Sequence, residues 1–148
     1  MARSSRNRQP YGGIEPCFNL RLRQANRVLT SHYDDYLRDL GLTIAQFSIL
    51  RSLWYMKSTA QKDLQAVLVL QQTTLTRNLK LLQKAGYIQT TQGEADRRIS
   101  MVSLTEEGKN IFKQARTRWK EAQQDVSRRL GDKNSQQLIQ VAEAIMAM

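Results

Sequence analysis

The sequence predicts a mainly α-helical fold carrying one small antiparallel β-hairpin. Three observations lead there. Most apolar residues recur at steps of three, four or seven, the spacing of a helix face. Tyr87 to Thr91 and Ile99 to Leu104 are instead β-branched, aromatic and alternating, as strands are. Between those two runs lies Gln92-Gly93-Glu94-Ala95-Asp96-Arg97-Arg98, a polar hairpin tip with two arginines.

The elements follow in order. Residues 1–16 hold both prolines, paired glycines and little that is apolar, so a mobile basic arm is expected. Its Arg3, Arg6 and Arg8 are either idle or positioned to meet phosphates. Cys17 to Leu40 reads as a long helix, with Phe18, Leu22, Ala25, Leu29, Tyr36 and Leu40 on one stripe and Gly41 as its stop. Thr43-Ile44-Ala45-Gln46 fits a capping box, and Leu42 can staple onto Phe47. Phe47, Leu50, Leu53 and Trp54 then repeat at core spacing. Lys57 to Ala60 reads as a break. A short helix over 61–68 follows, with Leu64, Val67 and Leu68 expected inward.

The helix expected over 72–84 is the most informative. Leu75, Leu79 and Leu82 form one stripe, while Thr73, Arg77, Lys80 and Lys84 fall opposite. Hydroxyls and cations on a leucine-backed rod suit the major groove of DNA. Gly86 ends it. Two helices, a turn and an arginine-tipped hairpin outline a winged helix-turn-helix over 42–104.

Thr105 caps the next helix. Glu106 and Glu107 lie in its first turn, and Arg128 and Arg129 in its last, each placed to complement the helix dipole. Phe112, Ala115, Trp119, Ala122 and Val126 make a narrow seam typical of helix against helix. After Asp132-Lys133-Asn134 a last helix carries Leu138, Val141, Ala142 and Ile145. A reading core of this kind needs only about 70–90 residues. The helices over 17–41 and 105–148 therefore have apolar stripes to spare, and a homodimer explains them better than a bundle within one chain.

Composition narrows the partners. The 148-residue chain has 23 Lys+Arg against 13 Asp+Glu, a net charge of +10, which favours polyanions. Lys62, Arg77, Lys80, Lys84, Arg97 and Arg98 outnumber Asp63, Glu94 and Asp96 over 61–98. The longest unbroken apolar run, Ala66 to Leu70, is far short of a membrane span. One cysteine forbids an intrachain disulfide and fits a reducing cytoplasm. No signal peptide, phosphate loop, nucleotide fingerprint or metal-ligand cluster is apparent, so neither a cofactor nor an enzyme is expected. Cys17 and His32, on one helix and about 22 Å apart, cannot form a catalytic pair in a single chain.

Three strings carry a family resemblance. Leu42-Thr43-Ile44-Ala45-Gln46-Phe47 resembles the entry to the second helix of the MarR family of bacterial transcription regulators. Thr73-Thr74-Leu75-Thr76-Arg77, then Leu79 and Leu82, resembles its recognition helix. Asp96-Arg97-Arg98, Val102 and Leu104-Thr105-Glu106-Glu107-Gly108 resemble its wing and exit. The resemblance implies a dimer binding double-stranded, pseudo-palindromic operators, usually as a repressor released by a small-molecule effector or an oxidant. It implies operator contacts for Gln71, Gln72, Thr73, Thr74, Thr76 and Arg77; Lys80 on the polar face of that helix and Arg97 at the hairpin tip are expected to join them from their charge and position. It also implies that Asp96 braces the wing and that Arg98 is the arginine braced.

Cys17-Phe18 is similar to the start of the OhrR-like hydroperoxide sensors, where a helix N-terminus favours thiolate. Their tyrosine one turn later is Arg21 here, and Ser31 stands near the place of their second. Cys17 therefore reads either as a redox sensor or as a small packed residue. Trp54, Trp119, Tyr33 and Tyr36 read first as core and second as a ligand pocket. His32 reads as a surface or interface residue. A winged helix that binds RNA or a protein partner is the rival to a DNA regulator, because fold alone does not decide.

Overall fold

The structure, a computed structural model, describes residues 15–148. The basic arm with Arg3, Arg6 and Arg8 thus lies outside the described residues.

Helix α1 (Phe18–Leu37) tightens into a 3₁₀ turn (Arg38–Leu40) instead of running on as α-helix. Gly41, at φ +68°, then reverses the chain. Helix α2 (Ile44–Met56) has both halves of the expected capping box. Gln46 N–H donates to Thr43 Oγ1, and Thr43 N–H donates to Gln46 Oε1, both at 3.2 Å. Asp34 on α1 takes a further orphan donor, accepting from Ile44 N–H at 2.7 Å. The start of α2 is therefore pinned by its own cap and by α1.

The expected break before the short helix contains β1 (Thr59–Ala60), which pairs with a later strand. Two residues are too few to show a period of two, so the strand is invisible in the sequence. Helices α3 (Gln61–Leu68) and α4 (Gln72–Lys84) have the predicted bounds. Strands β2 (Ile88–Gln92) and β3 (Ser100–Leu104) form the hairpin, one residue later at each start than predicted. The sheet runs β1-β3-β2, antiparallel throughout, with Ile88 opposite Leu104 and Gln92 opposite Ser100.

Val67 was expected inward, but it is 58% exposed while Leu64 is fully buried and Leu68 half-buried. The inward line of this two-turn helix lies between Leu64 and Leu68. Val67 stands about 80° from that line at 100° per residue.

Helix α5 (Glu106–Leu130) starts on Thr105, whose Oγ1 accepts from Gly108 N–H at 3.0 Å. Helix α6 (Asp132–Met146) begins immediately after Gly131, three residues before the predicted start. Gly131 makes the whole connection at φ +77°, a conformation open to it because it lacks a Cβ.

One core joins these elements. Phe47, Ile49, Leu50 and Leu53 of α2 meet Leu64, Leu75, Leu79, Leu82, Ile88, Val102, Leu104, Phe112 and Ala115. Phe47 stacks on Phe112 at 5.7 Å and on Trp119 at 5.8 Å between ring centroids. Each large apolar side chain so buried contributes about 1.5–3 kcal/mol.

The seam on α5 is used differently from the expectation. Phe112, Ala115 and Ala122 are buried within their own chain against α1 and α2, leaving no long stripe to spare. Most of the exposed large apolar residues sit on α1 and α6. Only Leu37 of α1 is buried, although the predicted stripe omitted it, whereas Phe18 and Leu22 of that stripe are exposed. Helix α6 has no buried residue at all.

A polar cluster lies between α1 and α5. Buried Asp125 of α5 lies 3.4 Å from His32 Nε2 of α1 and 2.9 Å from Arg129 Nε, and pairs with Arg128. His32, expected at a surface or an interface, is half-buried beside a carboxylate of α5. No described helix is long and apolar enough to cross a membrane.

Candidate nucleic-acid interface

Helix α4 is held from behind and open in front. Leu75, Leu79 and Leu82 are 0%, 6% and 2% exposed against the core. On the other side Gln72, Thr73, Thr76, Arg77, Lys80 and Leu81 line one open concavity of about 540 Å³. Gln72, Thr73, Arg77 and Lys80 are exposed, and Thr76 is half-buried.

The structure does not bring every expected contact residue onto this face. Gln71 is the N-cap, and neither it nor half-buried Thr74 lines the concavity. Asn78 Nδ2 donates to the Thr74 carbonyl at 3.1 Å, one turn up the same helix.

Two features escaped the sequence reading. Leu81, which the apolar stripe of α4 leaves out, is half-exposed on the reading face. Gln61, on α3, donates from Nε2 to Thr76 Oγ1 at 3.3 Å, which fixes that hydroxyl across the two helices. A contact fifteen residues apart on different helices leaves no periodic signal.

The start of α4 has no side-chain cap. Its first N–H groups and the positive end of its dipole thus face outward together, as at many phosphate sites. The turn that delivers α4 is strained. Val69 sits at φ +51° and ψ +44°, a left-handed conformation costly for a β-branched residue.

The wing tip is a closed loop. Gly93 N–H donates to Ile99 O at 2.9 Å and Ile99 N–H to Asp96 O at 3.1 Å. A Cβ on Gly93 would come within 2.7 Å of the Asp96 carbonyl, so only glycine fits there. Asp96 then grips Arg98 three times. Its Oδ1 accepts from Arg98 N–H at 3.0 Å and from Nε at 3.2 Å, and its Oδ2 accepts from Nη2 at 3.2 Å. The guanidinium hydrogen bonds, and next the backbone one, hold the Asp96 carboxyl below the usual carboxylate range. Arg98 remains 91% exposed despite being held. Such an arginine is pre-extended and loses little freedom on entering a narrow, negative minor groove. Arg97 is exposed and pairs with no carboxylate among the described residues.

Thr105 links this wing to α4 and α5. Its Oγ1 donates to Gly86 O at 2.6 Å while accepting from Gly108 N–H. A Cβ on Gly108 would meet the Tyr87 carbonyl at 1.9 Å, so α5 starts in backbone contact with the exit of α4.

The aromatic residues do not share one pocket. Trp54 lines a cavity of about 570 Å³ with Lys57, Ser58, Ser103 and Lys109, whereas Trp119 packs on Phe47 under Arg51. Tyr36 packs against His32, and the Tyr33 hydroxyl bonds Gln123, its pKa raised by burial. Cys17 is exposed at the N-cap of α1, not packed.

A model of the MarR family matches residues 42–100, the span from the capping box to the start of β3. The HTH-type transcriptional regulator SarZ of Staphylococcus epidermidis is 34% identical over 87 residues, 59% of each chain. This chain therefore spans less than two thirds of that relative's length. The organic hydroperoxide resistance transcriptional regulator of Bacillus subtilis is 33% identical over 84 residues, 57% of each chain. Among solved structures, the transcriptional regulator MOSR of M. tuberculosis, in complex with DNA, superposes with a TM-score of 0.73 at 32% identity. That match covers 88% of this chain and 98% of that one.

Proposed function

The chain belongs to the MarR family, and from that premise we propose that it is a dimeric regulator of transcription that binds operator DNA. One observation carries the reading: α4 buries Leu75, Leu79 and Leu82 against the core while presenting an amide, hydroxyls and two cations on an open face. Arg98, held out by Asp96, adds a second contact for an adjoining minor groove. The chain works by binding, not by catalysis, and its ligand places it in the cytoplasm.

The exposed apolar residues of α1 and α6 are covered by a second copy, which sets two reading heads about 10 bp or a multiple apart. Binding represses, and a small-molecule effector or an oxidant relieves it. Fluorescence anisotropy with genomic duplex fragments tests the core of this reading. Affinity falls steeply between about 50 and 200 mM salt, as phosphate contacts require. Arg77→Ala and Arg98→Ala each weaken binding roughly tenfold with unfolding unchanged. Wild-type affinity in both variants would remove α4 and the wing from the interface.

Exposure of Cys17 favours a second, narrower reading in which the thiol senses hydroperoxides. Sulfur would attack the distal peroxide oxygen and break the O–O bond. The alcohol leaves with a proton, and the cysteine ends as a sulfenic acid. Release from DNA by cumene hydroperoxide in the wild type, compared with Cys17→Ser, decides it; equal release dismisses the sensor.

A further inference from the structure

The first turn and a half of α4 reads without a positive charge. Its exposed residues are Gln71, Gln72 and Thr73, with Thr76 beside them, and the cations Arg77 and Lys80 come only afterwards. In helix-turn-helix docking, the N-terminal residues of the second helix meet base edges. Guanine is read best by an arginine or lysine on O6 and N7, and none is present there. A glutamine amide instead matches adenine, whose N6 donates and N7 accepts. A threonine methyl packs on the methyl of thymine. The wing points the same way, because a held arginine prefers the narrow minor groove of A·T tracts.

We infer that the base pairs beneath Gln72, Thr73 and Thr76 are A·T, and that Gln61 sets this preference by holding Thr76. The bond from Gln61 Nε2 to Thr76 Oγ1 fixes the hydroxyl on the α3 side and so fixes the rotamer from which the threonine meets a base. Gln61 is a positioning residue here, acting through Thr76. The inference rests on the DNA-binding reading and deepens it.

Selection of random duplexes by the full-length protein separates the two. Retention of no duplex at low salt overturns DNA binding itself, and the inference with it. Retention of duplexes with G·C at the major-groove positions overturns the inference alone. The expected result is an enriched pair of A·T half-sites. In a selected duplex, replacing those thymidines by deoxyuridine removes only the methyl groups and lowers affinity about 3- to 10-fold. Replacing adenine by 7-deazaadenine weakens the wild type by a similar factor and Gln72→Ala hardly at all; an equal loss in both removes Gln72 from adenine reading. Gln61→Met keeps the side-chain length without the donor. It reduces A·T over G·C discrimination about threefold, with thermal unfolding and binding to non-specific duplex unchanged. Unaltered discrimination in Gln61→Met overturns the positioning role.

Discussion

The reading head and the terminal helices were written in the same code and came out differently. Helix α4 in the head and helix α6 at the end both carry apolar residues at steps of three and four. In α4 those residues are 0–6% exposed. In α6, Leu138, Ile139, Val141 and Ile145 are 38–55% exposed. A periodic stripe therefore states that a helix needs a partner face, not where that face lies. The head finds its partner within the chain, through Phe47, Phe112 and the sheet. The end helices do not, and self-association supplies the missing face under the reading proposed above.

The largest break in this comparison is a cavity in the head. Phe47→Ala removes a ring stacked on both Phe112 and Trp119, and is expected to cost about 3–5 kcal/mol in urea unfolding. A loss below about 1 kcal/mol would mean that the core closes without it.

The matching change at the end is Leu138→Ser with Ile139→Ser. It leaves helical content intact and weakens dimerisation at least tenfold by sedimentation, about 1.4 kcal/mol or more. An unchanged dimer would place the contact away from α6.

A smaller effect comes from the wing. Asp96→Asn keeps the shape but loses the charge on which Arg98 rests, and lowers DNA affinity a few-fold with little change in unfolding. The sign with pH follows from the depressed carboxyl. The brace is complete above the ordinary carboxylate range and is lost only as pH falls through the lowered native value. Between about pH 5 and 8 the wild type and the variant should therefore differ by a constant factor. A difference that changes across that window would assign the effect to another group.

The smallest is a gain. Val69→Asn places a residue tolerant of the left-handed region where an exposed valine now sits. It should stabilise the head by about 0.5–1 kcal/mol in the same urea assay. No gain would show that the turn relaxes around valine.

Much of the site was legible residue by residue. The bounds of α3 and α4, the capping box at Thr43 and Gln46 and the cap at Thr105 follow from local preferences, which act over a few residues and survive in any context. The Asp96–Arg98 brace spans two residues and was legible through the family resemblance. Val67 was misplaced, because burial depends on what packs against a helix, and a helix does not carry that information in its own spacing.

The sequence by itself determined which segments are helix, turn and wing, which face of α4 is polar, and that the chain is strongly basic. These follow from side-chain chemistry and backbone geometry within a turn or two. Only the tertiary structure decided that the α5 seam is consumed by its own chain, that β1 completes the sheet, that Gln61 grips Thr76, and that Asp125 gathers His32, Arg128 and Arg129. Except for the two arginines one turn on along α5, these depend on groups far apart in sequence meeting in space. Their energies come from exclusion of water and from polar contacts across elements, and neither exists until the elements are packed.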